Sequence, residues 1–349
     1  MSMENPLIEI VIPNWNGRQM LAHCLSSLEV QTNRNFCVTV VDNGSEDGSL
    51  ELLENEFPKV RLLRFTENRG FSVAVNRGIR KARASWILLL NNDMEVAPDC
   101  LEHLIQGIEK YKKYDFFALK MINFNNRDFL DGAGDAVLRG GVGYRLGTME
   151  KDSDMYRVDR DVFGACGGGA LYSRKFFDKV GLFDNVFFAY LEDVDLNLRA
   201  RRLGMRCRYL SSAMVFHIGS ATTGKKVNAF TIRLSTRNNF AVVVKNYSFG
   251  MALRFLFPFT IYQFAWLLFV VKKRMFFSYC RGILETFRLL PEVIGKRREI
   301  LADPGNILEK EFRRAVVTSE KEAVESIMAR RSAEGKTNLL FGWYCRIFF

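Results

Sequence analysis

Between residues 8 and 93 the chain alternates short apolar runs with segments whose apolar positions recur every three or four residues. Ile8–Ile12 is mostly β-branched and is closed by Pro13, which predicts a first strand. Met20–Leu28 has helical spacing. Cys37–Val41 predicts a second strand, ending at Asp42-Asn43-Gly44. Ser49–Phe57 reads as a helix and Val60–Phe65 as a strand. Ser72–Ala84 is a helix with Val75, Ile79 and Ala82 on its apolar face, and Trp86–Leu90 is a fourth strand ending in Asn91-Asn92-Asp93. Apolar strands alternating with helices predict a parallel sheet covered on both faces. Ligands of such sheets bind beyond the carboxyl ends of the strands. The polar clusters PNWNG, DNGSEDGS and NND stand at those ends.

Further on, a Gly-rich stretch at 132–147 reads as irregular and the charged segment 152–161 as a surface loop. Leu191–Leu203 reads as a helix carrying Glu192, Asp193 and Asp195, closed by Gly204. Asp195 and Arg199, four apart, are expected to form a helix-surface pair. Arg206–Leu210 and Met214–His217 look like two short strands. After residue 245 the texture changes. Phe255–Val271 is largely apolar, interrupted by Pro258 and Gln263 and flanked by Arg254 and Lys272-Lys273-Arg274. A spanning helix needs about 20 apolar residues, so this stretch is at the lower limit. A helix lying in the membrane surface, aromatic side chains sunk and basic ones on headgroups, fits at least as well.

Charge sharpens that division. The net charge is +11, yet residues 220–349 hold 22 Lys/Arg against 10 Asp/Glu, and residues 220–284 hold ten basic residues and no acid. A near-neutral body therefore carries a basic tail, which points to an anionic partner. The basic residues interleave with Phe, Leu and Val, which favours a lipid surface over nucleic acid. Seven cysteines without a CxxC pair imply neither a disulfide framework nor a zinc module. The N-terminal residues lack a basic segment followed by an apolar run, so the body is expected to stay in the cytoplasm.

IPNWNG at 12–17, VVDNGSEDGS at 40–49, ENRGFSVAVNRG at 67–78, LLLNND at 88–93 and YLEDVDLNLRARRLG at 190–204 together resemble family 2 glycosyltransferases of the GT-A fold, in particular the rhamnosyltransferase-like members. The resemblance covers about residues 7–220. It implies a Rossmann-like mixed sheet with helices on both faces over residues 1–222; the region 223–349 resembles the amphipathic tail of membrane-associated members in texture only, and its own basic, aromatic-rich residues predict membrane-surface helices, with one spanning helix or a soluble helical subdomain as the alternatives.

The resemblance also assigns roles. Asp93 is the last position of the family's DxD pattern, whose carboxylate binds Mn²⁺ or Mg²⁺ on the donor diphosphate; oxygen ligands suit those hard cations. Asn91 replaces the first carboxylate of that pattern, which removes one charge from the site. His217 resembles the late histidine that completes the metal site, and neutral imidazole is compatible with Mn²⁺. Asp42, with Asn43 beside it, corresponds to the base-contacting position; a carboxylate can accept the imide N–H of uracil or thymine. An Asx-turn is the alternative there. Pro13, Asn14 and Trp15 are expected to wall the base pocket, and Arg69, Asn76, Asn91 and Asn92 to line the nucleotide. Gly168, inside a three-glycine run, would let backbone approach the donor.

Asp193, in the family's Glu-Asp pair, is the expected catalytic base of a single in-line displacement that inverts the anomeric centre. Neighbouring helical residues diverge by about 100°, so Glu192 is expected to bind the acceptor or orient the loop. Glycoside hydrolysis suits adjacent carboxylates poorly, because its two carboxyl groups flank the bond about 5–9.5 Å apart. No QxxRW motif of the processive synthases is present. The sequence therefore points to transfer of one sugar, or few, from a nucleotide-diphosphate donor (dTDP-rhamnose-like or UDP-linked) to a lipid-linked or oligosaccharide acceptor at the inner face of the cell membrane. An inactive GT-A scaffold and a nucleic-acid binder are the alternatives.

Overall fold

A computed structural model describes residues 6–219 and 227–349. In chain order its elements are β1 (Ile8–Asn14), α1 (Arg18–Glu29), β2 (Phe36–Asn43), α2 (Ser49–Glu56), β3 (Arg61–Phe65), α3 (Phe71–Lys81), β4 (Trp86–Leu90), β5 (Met94–Val96), α4 (Cys100–Lys110), β6 (Phe116–Asn123), β7 (Leu130–Ala133), β8 (Asp135–Leu138) and β9 (Val142–Arg145). There follow β10 (Arg160–Val162), β11 (Gly169–Ser173), α5 (Arg174–Val180), α6 (Glu192–Arg202), β12 (Cys207–His217), α7 (Ala229–Asn246), α8 (Phe249–Lys272), α9 (Phe276–Ala302), α10 (Glu309–Ala333) and α11 (Leu339–Phe348).

Two compact units interleave along the chain. The first holds Met1–Asp135, Arg145–Phe188 and Arg206–Gly224; the second holds Ala136–Tyr144, Ala189–Met205 and Lys225–Phe349. The expected consecutive boundary at 222 lies outside the described residues. The interleaving has a physical origin: Asp195 of α6 is held by Lys245 and Asn246 of α7.

In the first unit a sheet runs in the order β10-β12-β6-β11-β4-β1-β2-β3. As predicted, β3, β2, β1 and β4 are parallel neighbours. β11 enters antiparallel to both β4 and β6, which makes the sheet mixed. Ile10, Val40, Leu88, Phe117, Leu171 and Val215 form part of its buried core. The two expected late strands are one continuous β12, with a pairing irregularity between Leu210 and Met214. The Gly-rich stretch is not irregular throughout, because β8 and β9 pair there. The charged segment 152–161 is likewise tied down: Asp152 holds the buried Lys120 at 2.8 Å, and Asp159 accepts from the Tyr111 hydroxyl at 2.8 Å.

The second unit is mainly helical. Asp195, expected on a helix surface, is fully buried and accepts from Arg199 at 2.9 Å, Lys245 at 2.8 Å and Asn246 at 2.9 Å. A carboxylate in a dry interior needs such donors, and two of the three come from fifty residues away. α8 is longer than its apolar centre suggested, since Ser248 caps it by accepting from Met251 N. Its inner side meets α7, where Gln263 donates to Asn239 at 2.6 Å and Trp266 donates to Thr236 at 2.9 Å. Its outer side leaves Leu253, Phe257, Phe264, Leu268 and Val271 exposed. Among the described residues α8 is the one helix long and apolar enough to cross a membrane by length and composition. On α9 and α11, Phe277 is 87% and Trp343 68% exposed.

Candidate active site

Strand register assembles the site of the first unit. Asn14 and Asp42 are register partners at the carboxyl ends of β1 and β2. Asn14 donates to Asp42 Oδ1 at 3.4 Å and to Ser45 Oγ at 3.2 Å, and it accepts from the Asn92 amide at 2.7 Å. A line of buried polar side chains therefore runs across three strand ends. Gly17 keeps it open: a Cβ there would lie 2.2 Å from Asn92 Nδ2.

Asp42 forms the Asx-turn that stood as the alternative to base binding. Its Oδ2 accepts from the backbone N–H of Gly44 at 3.2 Å and of Ser45 at 3.1 Å. Asn43 donates to Asn68 Oδ1 and Gly70 O and accepts from Arg69 N, so it fixes the loop before α3. The Arg69 side chain is exposed and pairs with Glu67 at 3.3 Å, the surface arrangement. Asn76 spends both amide donors, on Phe183 O at 2.7 Å and Asn185 Oδ1 at 2.9 Å, and accepts from Phe183 N. No donor remains for a ligand, so Asn76 anchors a loop. Trp15 stands 37% exposed after β1, beside the half-buried Pro13. Gly168 O accepts from Asn91 N at 2.8 Å, and a Cβ on Gly168 would sit 2.4 Å from Asn91 Nδ2. That glycine makes room for the amide that replaces the first carboxylate.

Asp93 lies between β4 and β5. Because β5 pairs with the end of β12, Met94 opposite His217, two residues 124 positions apart in sequence meet. His217 Nε2 is 3.4 Å from Asp93 Oδ2, and Asp93 O accepts from Ile218 N at 3.0 Å. Asp93 Oδ1 is buried and has no hydrogen-bond partner among the described residues. A buried carboxylate oxygen left unsatisfied is costly, and with an imidazole nitrogen beside it the donor set fits Mn²⁺ or Mg²⁺. The other imidazole nitrogen, Nδ1, donates to Asp131 Oδ2 at 2.7 Å. Burial alone would lower the imidazole, but the hydrogen bonds and charges of Asp131 and Asp93 raise it to about 9. Burial would raise Asp131, yet His217 and Arg145 hold it well below the usual carboxylate range. Sequence reading missed Asp131, which sits beside a glycine-rich stretch with no motif of its own.

Glu192 and Asp193 belong to the second unit, at the start of α6. The turn that delivers them is strained, with left-handed backbone at Tyr190 (φ 71°) and Leu191 (φ 65°), neither a glycine. Such conformations cost about 1–3 kcal/mol each and persist where the surroundings enforce them. Asn238 of α7 supplies the enforcement by donating to Ala189 O at 2.9 Å and Tyr190 O at 2.7 Å. Asp193 is half-buried, and its carboxylate accepts from Val194 N at 2.8 Å.

Glu192 Oε2 is buried without a hydrogen-bond partner among the described residues. Burial first, then the charge of Asp193, pushes its carboxyl up to about 8. The folded chain thus keeps a proton that the unfolded chain sheds in the ordinary carboxylate range. Stability therefore falls as pH rises from that range through about 8. Glu192→Gln is expected to flatten this slope, read as urea midpoints between about pH 5 and 8.

Residues 9–181 match the glycosyl transferase family 2 model. An N-acetylglucosaminyl-diphospho-decaprenol L-rhamnosyltransferase of Mycobacterium tuberculosis is 27% identical over 241 residues, spanning 63% of this chain and 78% of that protein. Among solved structures, S. aureus TarS superimposes with a TM-score of 0.53 at 15% identity, over 94% of this chain and 92% of that one. GalNAc-T7, solved with UDP, GalNAc and Mn²⁺, superimposes with a TM-score of 0.55 at 19% identity, over 70% of this chain and 48% of that one. The mixed sheet is that of the GT-A fold, and the chain is a glycosyltransferase that carries a glycosyl transferase family 2 domain over residues 9–181.

Proposed function

We propose that this glycosyltransferase is inverting and divalent-metal-dependent, and that it moves a sugar from a dTDP-rhamnose-like or UDP-linked donor to a lipid-diphosphate-linked glycan at the cytoplasmic face of the membrane, in surface polysaccharide assembly. The observation that carries this reading is the meeting of His217 with Asp93, whose buried Oδ1 finds no hydrogen-bond donor among the described residues. Asp93 and His217 would hold Mn²⁺ or Mg²⁺, which, when bound, offsets charge on the departing diphosphate. Asn14, Asn92 and Asp42 shape the nucleotide side, with Pro13 and Trp15 flanking the base. Asp193 takes the proton from the acceptor hydroxyl as that oxygen attacks the anomeric carbon. The M. tuberculosis relative, whose name gives a diphospho-decaprenol acceptor, supports the acceptor class.

The second unit supports placement at a bilayer. Exposed apolar side chains on α8 and α9 flank the exposed run Lys272-Lys273-Arg274. Such a surface suits anionic headgroups and the acyl boundary. If α8 spanned, its partner α7, with Arg233, Arg237 and Lys245, would enter hydrocarbon, which is costly. An interfacial position sinks the outer row alone.

The test supplies the full chain with dTDP-, UDP- and GDP-sugars, with and without Mn²⁺, and a lipid-diphosphate glycan in anionic vesicles. Metal-dependent release of nucleoside diphosphate coupled to glycan extension is expected for one donor. Failure to release with every donor would overturn the reading.

A further inference from the structure

The carboxylate of Asp131 has an unusual origin. On β7, Gly132 pairs with Met121 and Leu130 with Ile122, so Asp131 is an extra residue with no opposite number on β6. A bulge of this kind re-aims its side chain. Here the Asp131 carboxylate reaches Nδ1 of His217, at the end of β12, at 2.7 Å. Arg145 pairs with the same carboxylate oxygen. Arg145 gets there by crossing Gly132, where a Cβ would lie 2.3 Å from its side chain, and its Nη2 meets Cys166 Sγ at 3.1 Å. Asp131 is therefore held from one side and holds His217 on the other. With Nδ1–H committed to Asp131, Nε2 is the nitrogen that faces Asp93, and a cation bound there would take the place of its proton. A carboxylate behind a histidine in this way fixes the tautomer, orients the ring and makes the ligating nitrogen more basic.

We infer that Asp131 is a positioning residue that aims the His217 imidazole, through Nε2, at the divalent cation. This rests on the reading that Asp93 and His217 hold that cation. The proposal concerns how tightly the ion is held, so it can be read without turnover.

The test measures Mn²⁺ binding to the full chain, by loss of free-ion EPR signal, for the wild type, Asp131→Asn, His217→Ala, Asp93→Asn and the double variant Asp131→Asn/His217→Ala. Asp131→Asn keeps the shape and removes the charge. A loss of affinity of about 10–100-fold is expected, with the double variant no weaker than His217→Ala alone, because Asp131 acts through the imidazole. Affinity of Asp131→Asn equal to wild type, while His217→Ala is weakened, would overturn the proposal and leave the metal reading standing. Additive losses in the double variant would also overturn it, since they signify a structural role through Arg145. If neither Asp93→Asn nor His217→Ala weakens binding, the metal reading itself fails and the proposal with it. Melting temperatures of all variants, and the His217 ring ¹⁵N shifts, which report the tautomer, separate misfolding from lost orientation.

Discussion

Asp193→Asn is expected to lower kcat by about 10²–10⁴-fold while donor affinity stays within about twofold of wild type. The change is isosteric. It keeps the acceptor oxygen that meets Val194 N and leaves the strained turn clamped by Asn238, so the proton-accepting charge is the principal thing lost. The residues proposed to hold the nucleotide, Asn14, Asp42 and Asn92, are unchanged in this variant. Single-turnover transfer on one hand, and donor binding by calorimetry on the other, separate the two quantities. Wild-type turnover in Asp193→Asn would remove it from the role of base. Glu192→Gln serves as the contrast. Glu192 already keeps its proton up to about pH 8, so a neutral amide there is a small electrostatic change at neutral pH, and most of the activity is expected to survive.

The second large effect concerns the ion. EDTA is expected to silence the wild-type enzyme, and added Mn²⁺ to restore it. Asp93→Ala is expected to lose about 10²–10⁴-fold in kcat/KM and to gain nothing from added Mn²⁺ at ordinary concentrations. Asp93 is 6% exposed and faces His217, so its removal also takes a buried charge from beside the imidazole and is expected to cost some stability. A melting curve run beside the assay separates that cost from the loss of the metal. Activity that survives both chelation and Asp93→Ala would rule out metal dependence. Asn91 gives this experiment a further use. One carboxylate fewer than the family's DxD pattern leaves Asp93 as the sole charge of Asn91-Asn92-Asp93, so a single substitution suffices.

The first four strands were legible because their signal is local: apolar runs of the right length, closed by turn residues. The polar residues at their ends were legible for the same reason, since the rule placing ligands there needs only strand direction. What pairs with what was not. That β11 runs antiparallel between β4 and β6, or that β5 brings Asp93 to His217, depends on residues far apart in sequence. The Asp195–Arg199 spacing is a common surface pattern, and nothing in those five residues announces Lys245 and Asn246. Asp131 carries no pattern, because the bulge that aims it exists only once β6 has been paired with β7. Asn76 and Asn43 read as ligand residues by position, yet their amides secure loops, a distinction that hydrogen-bond geometry alone makes.

The second unit draws on three separate stretches of the polypeptide, and the middle one, Ala189–Met205, carries Asp193. A truncated protein lacking residues 225–349 would therefore lose Asn238, Lys245 and Asn246, the groups that brace the helix bearing the proposed base. Exchanging tails between homologues at residue 222, an obvious cut for redirecting an enzyme to another membrane, would replace those braces with foreign ones. A graft that leaves α7 native and begins at α8 keeps them.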